Sequence, residues 1–407
     1  MLKVKGISYQ EKKLLVIEQF PDEKGLYQCY SNGFVTITEE ERQQLMKNPR
    51  TEEFLLVTKE ASFKGSLKKY YEELIENAEL LKKLTDGKIN MYKTGNYSKT
   101  ALKYLFDLMN EKGICPEPIE DYETKFLLNS GGAFRLSRPY EGPLYKYDAR
   151  SYFASIYSYE KLYIPVKKGI LKTITQSEFN NMKFIASGIY HCRVEKPKDE
   201  QLKKLVWINP DNYYTHLELQ YFREKGLKIE IIDEENNFLN YPQSYCKAGS
   251  TIFGEYAKTL YKIKEEYGCQ GAKKLLNHIW GVLCKKNKKV IMFNPETDEP
   301  LDDDNPYELT QLDDNLFEVT FLREQKFEYD LARMKPFFLA KCRLTIAKTI
   351  EPFVEHVHYS HTDSILSDIP LDLKDERELG NFRYEGYCED GYVKNANSRS
   401  PNSEFVI

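Results

Sequence analysis

Three short segments of this chain carry side chains whose types and spacing could do chemistry. In Tyr145-Lys-Tyr-Asp148-Ala-Arg-Ser151-Tyr152-Phe153, an apolar-flanked strand runs into a carboxylate, then a tight polar turn, then an aromatic helix start. A carboxylate at a strand end can hold a divalent cation, while N–H groups of the following turn donate to the oxygens of a metal-bound triphosphate. In Gly271-Ala-Lys273-Lys274-Leu-Leu-Asn277-His278-Ile-Trp280-Gly281, helical spacing puts Lys273, Asn277 and the Trp280–Gly281 pair on one face. A lysine there can neutralise nucleotide phosphates, and an aromatic ring can lie against a base pair. Out of context Trp280 reads as a core aromatic. In His356-Val-His358-Tyr359-Ser360-His361-Thr362-Asp363-Ser364-Ile365-Leu366, apolar-alternating stretches flank a polar four-residue turn, which predicts a β-hairpin with Asp363 at its tip. Two-metal phosphoryl transfer needs carboxylates from two strands. Asp148 and Asp363, far apart in sequence, meet that need only in a fold that pairs their strands.

The elements that must position these residues are legible in the surrounding pattern. The first 60 residues alternate short apolar runs with turn signals and predict a small β-containing unit. Residues 66–86 place apolar side chains at helical spacing, and a second helix over SKTALKYLFDLMNEKG ends at Gly113. From about residue 120, aromatic-rich strands alternate with helices, including a helix over 338–350. Charge is partitioned: residues 256–289 hold nine lysines against two glutamates, whereas residues 296–314 hold nine acids and no base. The acidic stretch reads as an exposed hairpin or loop. The basic one straddles an amphipathic helix and reads as a nucleic-acid or nucleotide contact, Lys262 and Lys264 included. A net charge of −4 argues against unselective coating of nucleic acid but allows a local basic groove. Eight cysteines are scattered singly with no CxxC, which reads as reduced thiols of the cytosol. No apolar run is long enough to span a bilayer, and the first residues lack a signal-peptide core, so membrane and secretory readings are set aside. His356 and His358 share a strand face, but a structural zinc site needs four closed ligands, and an ordinary polar strand is the better reading. His216, in YTHLEL, reads as part of a helix start.

In order and spacing, the three segments resemble those of family B DNA polymerases of the protein-primed branch, found in bacteriophages and linear plasmids. That family reads D-x-x-S-L-Y-P, K-x-x-x-N-S-x-Y-G and Y-x-D-T-D-S. This chain reads Asp148-Ala-Arg-Ser151-Tyr152-Phe153-Ala, Lys273-Lys-Leu-Leu-Asn277-His-Ile-Trp280-Gly281 and Tyr359-Ser-His-Thr-Asp363-Ser364. Weaker matches surround them. Asn129-Ser-Gly131-Gly132 stands where the branch has Y-x-G-G, Leu379-Gly380-Asn-Phe382 resembles its L-G-x-[WF] strand, and Tyr92-Lys-Thr-Gly95-Asn-Tyr-Ser-Lys-Thr100 resembles its helix before the palm. The resemblance covers roughly residues 90–395. There are departures. His361 replaces the first Asp of the hairpin motif, and Phe153 stands where the family has the tyrosine that screens against a 2′-hydroxyl. The first 90 residues contain no D-x-E strand for a proofreading exonuclease, no clear K-x-Y motif follows the hairpin, and the C-terminal part is too short for a full thumb.

The resemblance implies an α/β (α+β) right-hand core with a ferredoxin-like palm and helical fingers behind a small N-terminal α/β domain. The expected division is 1–120 for that domain, 121–200 for the first part of the palm, 201–290 for an insertion and fingers, 291–395 for the second part of the palm with an acidic hairpin, and 396–407 for a tail. It implies a nucleotidyltransferase that adds dNTPs to a 3′ or protein hydroxyl without proofreading. Two Mg²⁺ ions, or Mn²⁺, would lie on Asp148 and Asp363, with Lys273 stabilising the triphosphate. Ser151, Tyr152, Phe153, Asn277 and Lys262 are the expected nucleotide contacts, and Gly131, Gly132, Trp280, Gly281, Tyr359 and Ser364 the expected nucleic-acid contacts. Partners would be DNA, dNTPs and a priming protein, in a bacterial or viral-host cytosol. The alternative is a catalytically eroded polymerase fold that only binds nucleic acid, which His361 favours; retention of both costly carboxylates favours activity. An unrelated metal-dependent hydrolase would share the carboxylates but leaves the Lys273–Asn277–Gly281 helix unexplained.

Overall fold

In KLLVI and FLLVT, small runs of β-branched and aliphatic residues form two neighbouring strands, β1 (Lys13–Ile17) and β4 (Phe54–Thr58), that pair in parallel and bury Leu14, Val16, Leu55 and Val57. Strands β2 (Tyr27–Tyr30) and β3 (Phe34–Ile37) extend this sheet antiparallel, in the order β3-β2-β1-β4. The computed structural model describes residues 1–5, 7–47, 49, 51–132, 135–298, 308–313, 315–374, 376–395, 398–400 and 405. Contacts between residues divide the chain into two units. The first comprises Met1–Cys115, Phe153–Ser158 and Ser250–Val282, and the second comprises Pro116–Tyr152, Tyr159–Gly249 and Leu283–Ile407.

In the first unit the four-stranded sheet is joined by helices α1 (Glu39–Lys47), α2 (Leu67–Leu84), α3 (Met91–Thr94) and α4 (Tyr97–Glu111). The two long ones start where side-chain caps stop the orphan N–H groups from going unpaired. Ser66 accepts from the N–H of Lys69 at 3.2 Å, and Asn96 accepts from that of Lys99 at 2.9 Å. The predicted stop at Gly113 holds, with that residue at φ +64°. The long helices Gly249–Tyr267 and Gln270–Leu283 belong almost wholly to this unit. Asn77 on α2 fixes the second of them, its Oδ1 accepting from the Gly271 N–H at 2.6 Å.

The second unit is built on a six-stranded antiparallel sheet. Its order is Ser398–Arg399, Phe382–Asn395, β6 (Tyr140–Ala149), Ser364–Ser367, Val357–His361 and β5 (Arg135–Ser137). The helix Met334–Ile350, predicted over 338–350, buries Phe337, Phe338, Ala340, Ile346 and Ile350. Its entry is anchored by a fully buried ion pair, Arg333–Glu123, in which Tyr241 donates its hydroxyl to the same carboxylate at 2.7 Å. A second pair, Arg343–Glu218 at 2.6 Å, holds its middle. A smaller sheet, with strands Ile170–Lys172, Phe238–Asn240, Gly188–Val194, Tyr213–Thr215 and Ile229–Ile231, a three-stranded one, Lys286–Phe293, Leu316–Phe327 and Glu308–Asp313, and the pair Tyr163–Pro165 and Cys246–Ala248 also belong to the unit. Residues 299–307 of the acidic stretch lie outside the described residues, and Glu308–Asp313 is an edge strand. Among the described residues no helix is long and apolar enough to cross a membrane.

Candidate active site

Asp148 is the next-to-last residue of β6, the strand flanked on both sides in the large sheet. Ser364 stands in register with it on one side and Arg383 on the other, and His361 is in register with Ser364. Residues in register share a face, so Arg383, Asp148, Ser364 and His361 form a row across the sheet. Asp363 precedes Ser364 in the hairpin turn, and its carbonyl accepts from the N–H of Ala149 at 2.9 Å, which closes the hairpin tip onto the end of β6. The structure therefore brings Asp148 and Asp363 together. The turn is tighter than the four polar residues predicted. Only Thr362 and Asp363 lie between the paired His361 and Ser364. The Asp363 N–H donates to His361 O at 2.8 Å, and Thr362 adopts φ +62°. A left-handed β-branched residue is costly, and such strain gathers where a loop has work to do.

Burial pushes the Asp148 carboxyl up to about 7, and the neighbouring carboxylates of Asp363 and Glu385 add to the shift against Lys146 and Arg383. Glu385 enters the site through a bulge between Tyr384 and Gly386, which re-aims the strand Phe382–Asn395. Burial works against its charge, but hydrogen bonds from Lys146 and Arg383 prevail and hold it below the usual carboxylate range. The Lys146 ammonium lies 2.6 Å from Glu385 Oε2 and is itself buried. Sequence reading missed this Lys146–Glu385–Arg383 network. Lys146 had a signal, being two residues before Asp148 on the same strand face; Glu385 had none before its strand was placed.

Two half-buried carboxylates that repel one another are an oxygen-rich setting for a hard cation. Next to them the Ser364 hydroxyl is buried without a hydrogen-bond partner among the described residues. Among the described residues no group of three or more His, Cys, Asp or Glu side chains could hold a metal ion. A two-carboxylate site suits Mg²⁺, which keeps several waters and takes its remaining ligands from substrate phosphates. The three-histidine stretch makes no such site: His356 and His358 each face an oxygen of Asp368, at 2.9 and 3.0 Å.

The turn after Asp148 is as tight as the sequence implies, with Ser151 at φ +46° and a short helix, Tyr152–Tyr157, beyond it. Tyr152 is buried and donates its hydroxyl to Cys342 O at 2.6 Å, so it packs the turn onto the helix Met334–Ile350. Tyr359 is also buried, in a cluster with Leu144, Leu366, Cys388, Val393 and Phe405, beneath the Arg399 guanidinium at 4.9 Å. Gly132 has its own structural reason. A Cβ there would come within 2.3 Å of the Trp207 ring, over which Arg343 stacks at 4.3 Å while donating to Gly132 O. Lys335 reaches to within 3.5 Å of the corresponding position on Gly131. His216 does begin a helix, but it is half-buried rather than capping. Burial pushes its imidazole down to about 4, and Nδ1 accepts from the Gly188 N–H at 3.3 Å.

In the first unit, the helix Gln270–Leu283 buries Leu275, Leu276, Ile279 and Leu283 and leaves Lys273, Asn277 and Gly281 exposed along one line. Trp280 is half-buried, not a core residue, and packs against the half-buried Phe153 with ring centroids 5.1 Å apart. Lys274 points elsewhere, pairing with Glu60 at 2.8 Å between the rings of Tyr70 and Tyr97. Nothing lies within 4 Å of where a Cβ of Gly281 would stand. Lys262 is exposed, with a distant i,i+4 partner in Glu266 at 3.9 Å. Lys286, Lys288 and Lys289 lie in the second unit on the first strand of the three-stranded sheet.

This combination of sheet, hairpin and helices is a fold that DNA polymerases have. Three solved structures of phi29 DNA polymerase share it. The complex with primer-template DNA matches at a TM-score of 0.58 and 13% identity over 94% of this chain and 86% of that one. The ternary complex with primer-template and incoming nucleotides matches at 0.56 and 12%, over 98% and 91%. The complex with single-stranded DNA matches at 0.53 and 14%, over 100% and 77%. No family model matches the chain, and no curated protein matches it in sequence.

Proposed function

We propose that this protein is a nucleotidyltransferase of the DNA polymerase type, adding dNTPs to a 3′ or protein hydroxyl by two-metal phosphoryl transfer. The observation that carries the reading is the meeting of Asp148 and Asp363 at the paired ends of β6 and the hairpin. Mg²⁺ ions, or Mn²⁺, bound there with the triphosphate would supply charge neutralisation at the transferred phosphorus. The chain's own part is positioning. The Lys146–Glu385–Arg383 network fixes the strand beside Asp148, and the turn through Ser151 is the proposed neighbour of the triphosphate, although the N–H groups of Ala149 and Arg150 are already donated to Asp363 O and Asn381 O at 2.9 Å. In the first unit, Lys273 is the proposed contact to nucleotide phosphate, and Lys262 a further phosphate contact. Asn277 and the Phe153–Trp280 pair are the proposed border of the nascent base pair, with Gly281 leaving room for a base or sugar. DNA and dNTPs are the proposed partners, together with a priming protein. The comparisons support this through the fold of a polymerase bound to DNA and nucleotides.

The reading of a nucleic-acid-binding descendant is favoured by one observation: His361, in register with Ser364, stands where the resembled motif has a carboxylate. One experiment separates them. Purified protein is given labelled dNTPs with Mg²⁺ or Mn²⁺, with and without primer-template. Metal-dependent incorporation that Asp148→Ala abolishes supports the enzyme. DNA binding with no incorporation under any metal or primer condition establishes the binding protein.

A further inference from the structure

The first unit contains a cavity of about 640 Å³, between the N-terminal segment and the pair α3–α4, that the proposed chemistry does not use. Its outer wall is the start of the chain, strapped down at two points. Asn110 on α4 clasps the backbone of Leu2, accepting from its N–H at 2.8 Å and donating to its carbonyl at 3.0 Å. Further on, the Ser8 N–H donates to Lys93 O at 2.8 Å. Between the straps, Val4 and Ile7 give the wall an apolar lining, and Phe106 and the hydroxyl-paired Thr94 and Thr100 lie opposite. The fold thus holds the space open with its own hydrogen bonds, at a volume typical of small-molecule sites.

Its charge is one-sided. Lys3, Lys88, Lys93 and Lys103 line the cavity with a single acid, Asp107, and that acid is paired with Lys103. Lys3, Lys88 and Lys93 have no carboxylate within ion-pair distance among the described residues. Even with Glu11, which is hydrogen-bonded to Asn90 and feels the charge of Lys93, the lining carries more ammonium than carboxylate groups, and an anion entering among the lysines is attracted to them. Lysines on flexible stems act as point charges, which suits a tetrahedral dianion better than a planar carboxylate needing a bidentate fork.

We infer that this cavity is a binding site for a phosphate monoester whose remaining body is apolar or aromatic and of mononucleotide size. The phosphate lies among Lys3, Lys88 and Lys93, and the body lies on the apolar wall. Binding needs no divalent cation and no contribution from Asp148 or Asp363, so the site stands apart from the polymerase reading.

Calorimetric titration of the full chain in EDTA tests it, with 5′-AMP, adenosine and inorganic phosphate as probes. One equivalent of AMP should bind, and each half-molecule should bind at least about 10-fold more weakly, since both charge and apolar contacts contribute. Lys88→Glu with Lys93→Glu should weaken AMP binding by at least about 10-fold, while Asp148→Ala leaves it unchanged. If the double variant folds poorly, Lys3→Glu on the strapped segment should still weaken binding, and a photoreactive azido-AMP should label residues 1–9 or α3–α4 of the unmodified chain. Absence of AMP binding at millimolar concentration, equal affinity in the charge-reversed variants, or loss of binding in Asp148→Ala would overturn the assignment.

Discussion

Asp363 is joined to the strand of Asp148 through the backbone, its carbonyl accepting the N–H of Ala149 at 2.9 Å. That bond sets the end of β6 beside the hairpin turn, where burial and the neighbouring Asp363 carboxylate raise the Asp148 carboxyl to about 7. The repulsion between the two, offset in part by Lys146 and Arg383, has consequences that can be measured.

Replacing Asp148 by Asn removes the repulsion and keeps the shape. In EDTA at pH 8 the variant should unfold at a higher temperature than the unmodified protein, by the equivalent of roughly 1–2 kcal/mol once solvent screening is allowed for. Nucleotide incorporation should fall by at least about 10²-fold, because charge neutralisation at the reacting phosphate is lost. A variant that is less stable in EDTA and keeps its activity would contradict this account of the site.

On the proposed function, the same shift sets the pH dependence expected of cation binding. The folded-state pKa of Asp148 lies above the unfolded value, so the native state holds a proton that the unfolded chain has released. Stability from this group is therefore full at low pH and declines as pH rises from about 4 toward 7. Mg²⁺ must displace that proton. Its affinity should rise with pH up to about 7 and then level off, and calorimetry in buffers of different ionisation enthalpy should register proton release at pH 6. Asp148→Asn should abolish the release.

Gly281 separates stability from function. A glycine inside a helix costs up to about 1 kcal/mol relative to alanine, and no neighbour stands within 4 Å of the missing Cβ. Gly281→Ala should raise the unfolding temperature. If this exposed line of the helix receives a nascent base pair, the same change should lower kcat/KM for incorporation. A stabilised variant with unaltered kinetics would remove Gly281 from the nucleic-acid contacts.

The lysines should fall into two groups. Lys273→Ala is expected to raise the KM for dNTP or slow the chemical step, with little effect on DNA binding. Lys289→Ala should weaken DNA binding and flatten its salt dependence, because a phosphate contact releases counterions. Fluorescence anisotropy over a salt series, beside steady-state incorporation kinetics, distinguishes the groups. A Lys273→Ala protein altered only in salt-dependent DNA binding would misplace that residue.

Local patterns settled much of this molecule before any tertiary contact was known. The helix Gln270–Leu283 follows from its period alone, so Lys273, Asn277 and Gly281 had to share a face whatever the fold. The hairpin around Asp363, the strand into Asp148 and the caps of α2 and α4 are likewise properties of short stretches. What depends on residues far apart in the chain was open until the strands were paired. The meeting of Asp148 with Asp363 and the intrusion of Glu385 through a bulge needed the order of the large sheet. Tyr152, Tyr359 and Gly132 match motif positions, yet only their neighbours Cys342, Leu144 and Trp207 show that packing already requires them. A side chain's type limits the chemistry it can do, but its protonation and its partners are set by groups brought near from elsewhere, and those are decided by burial and register in the folded chain.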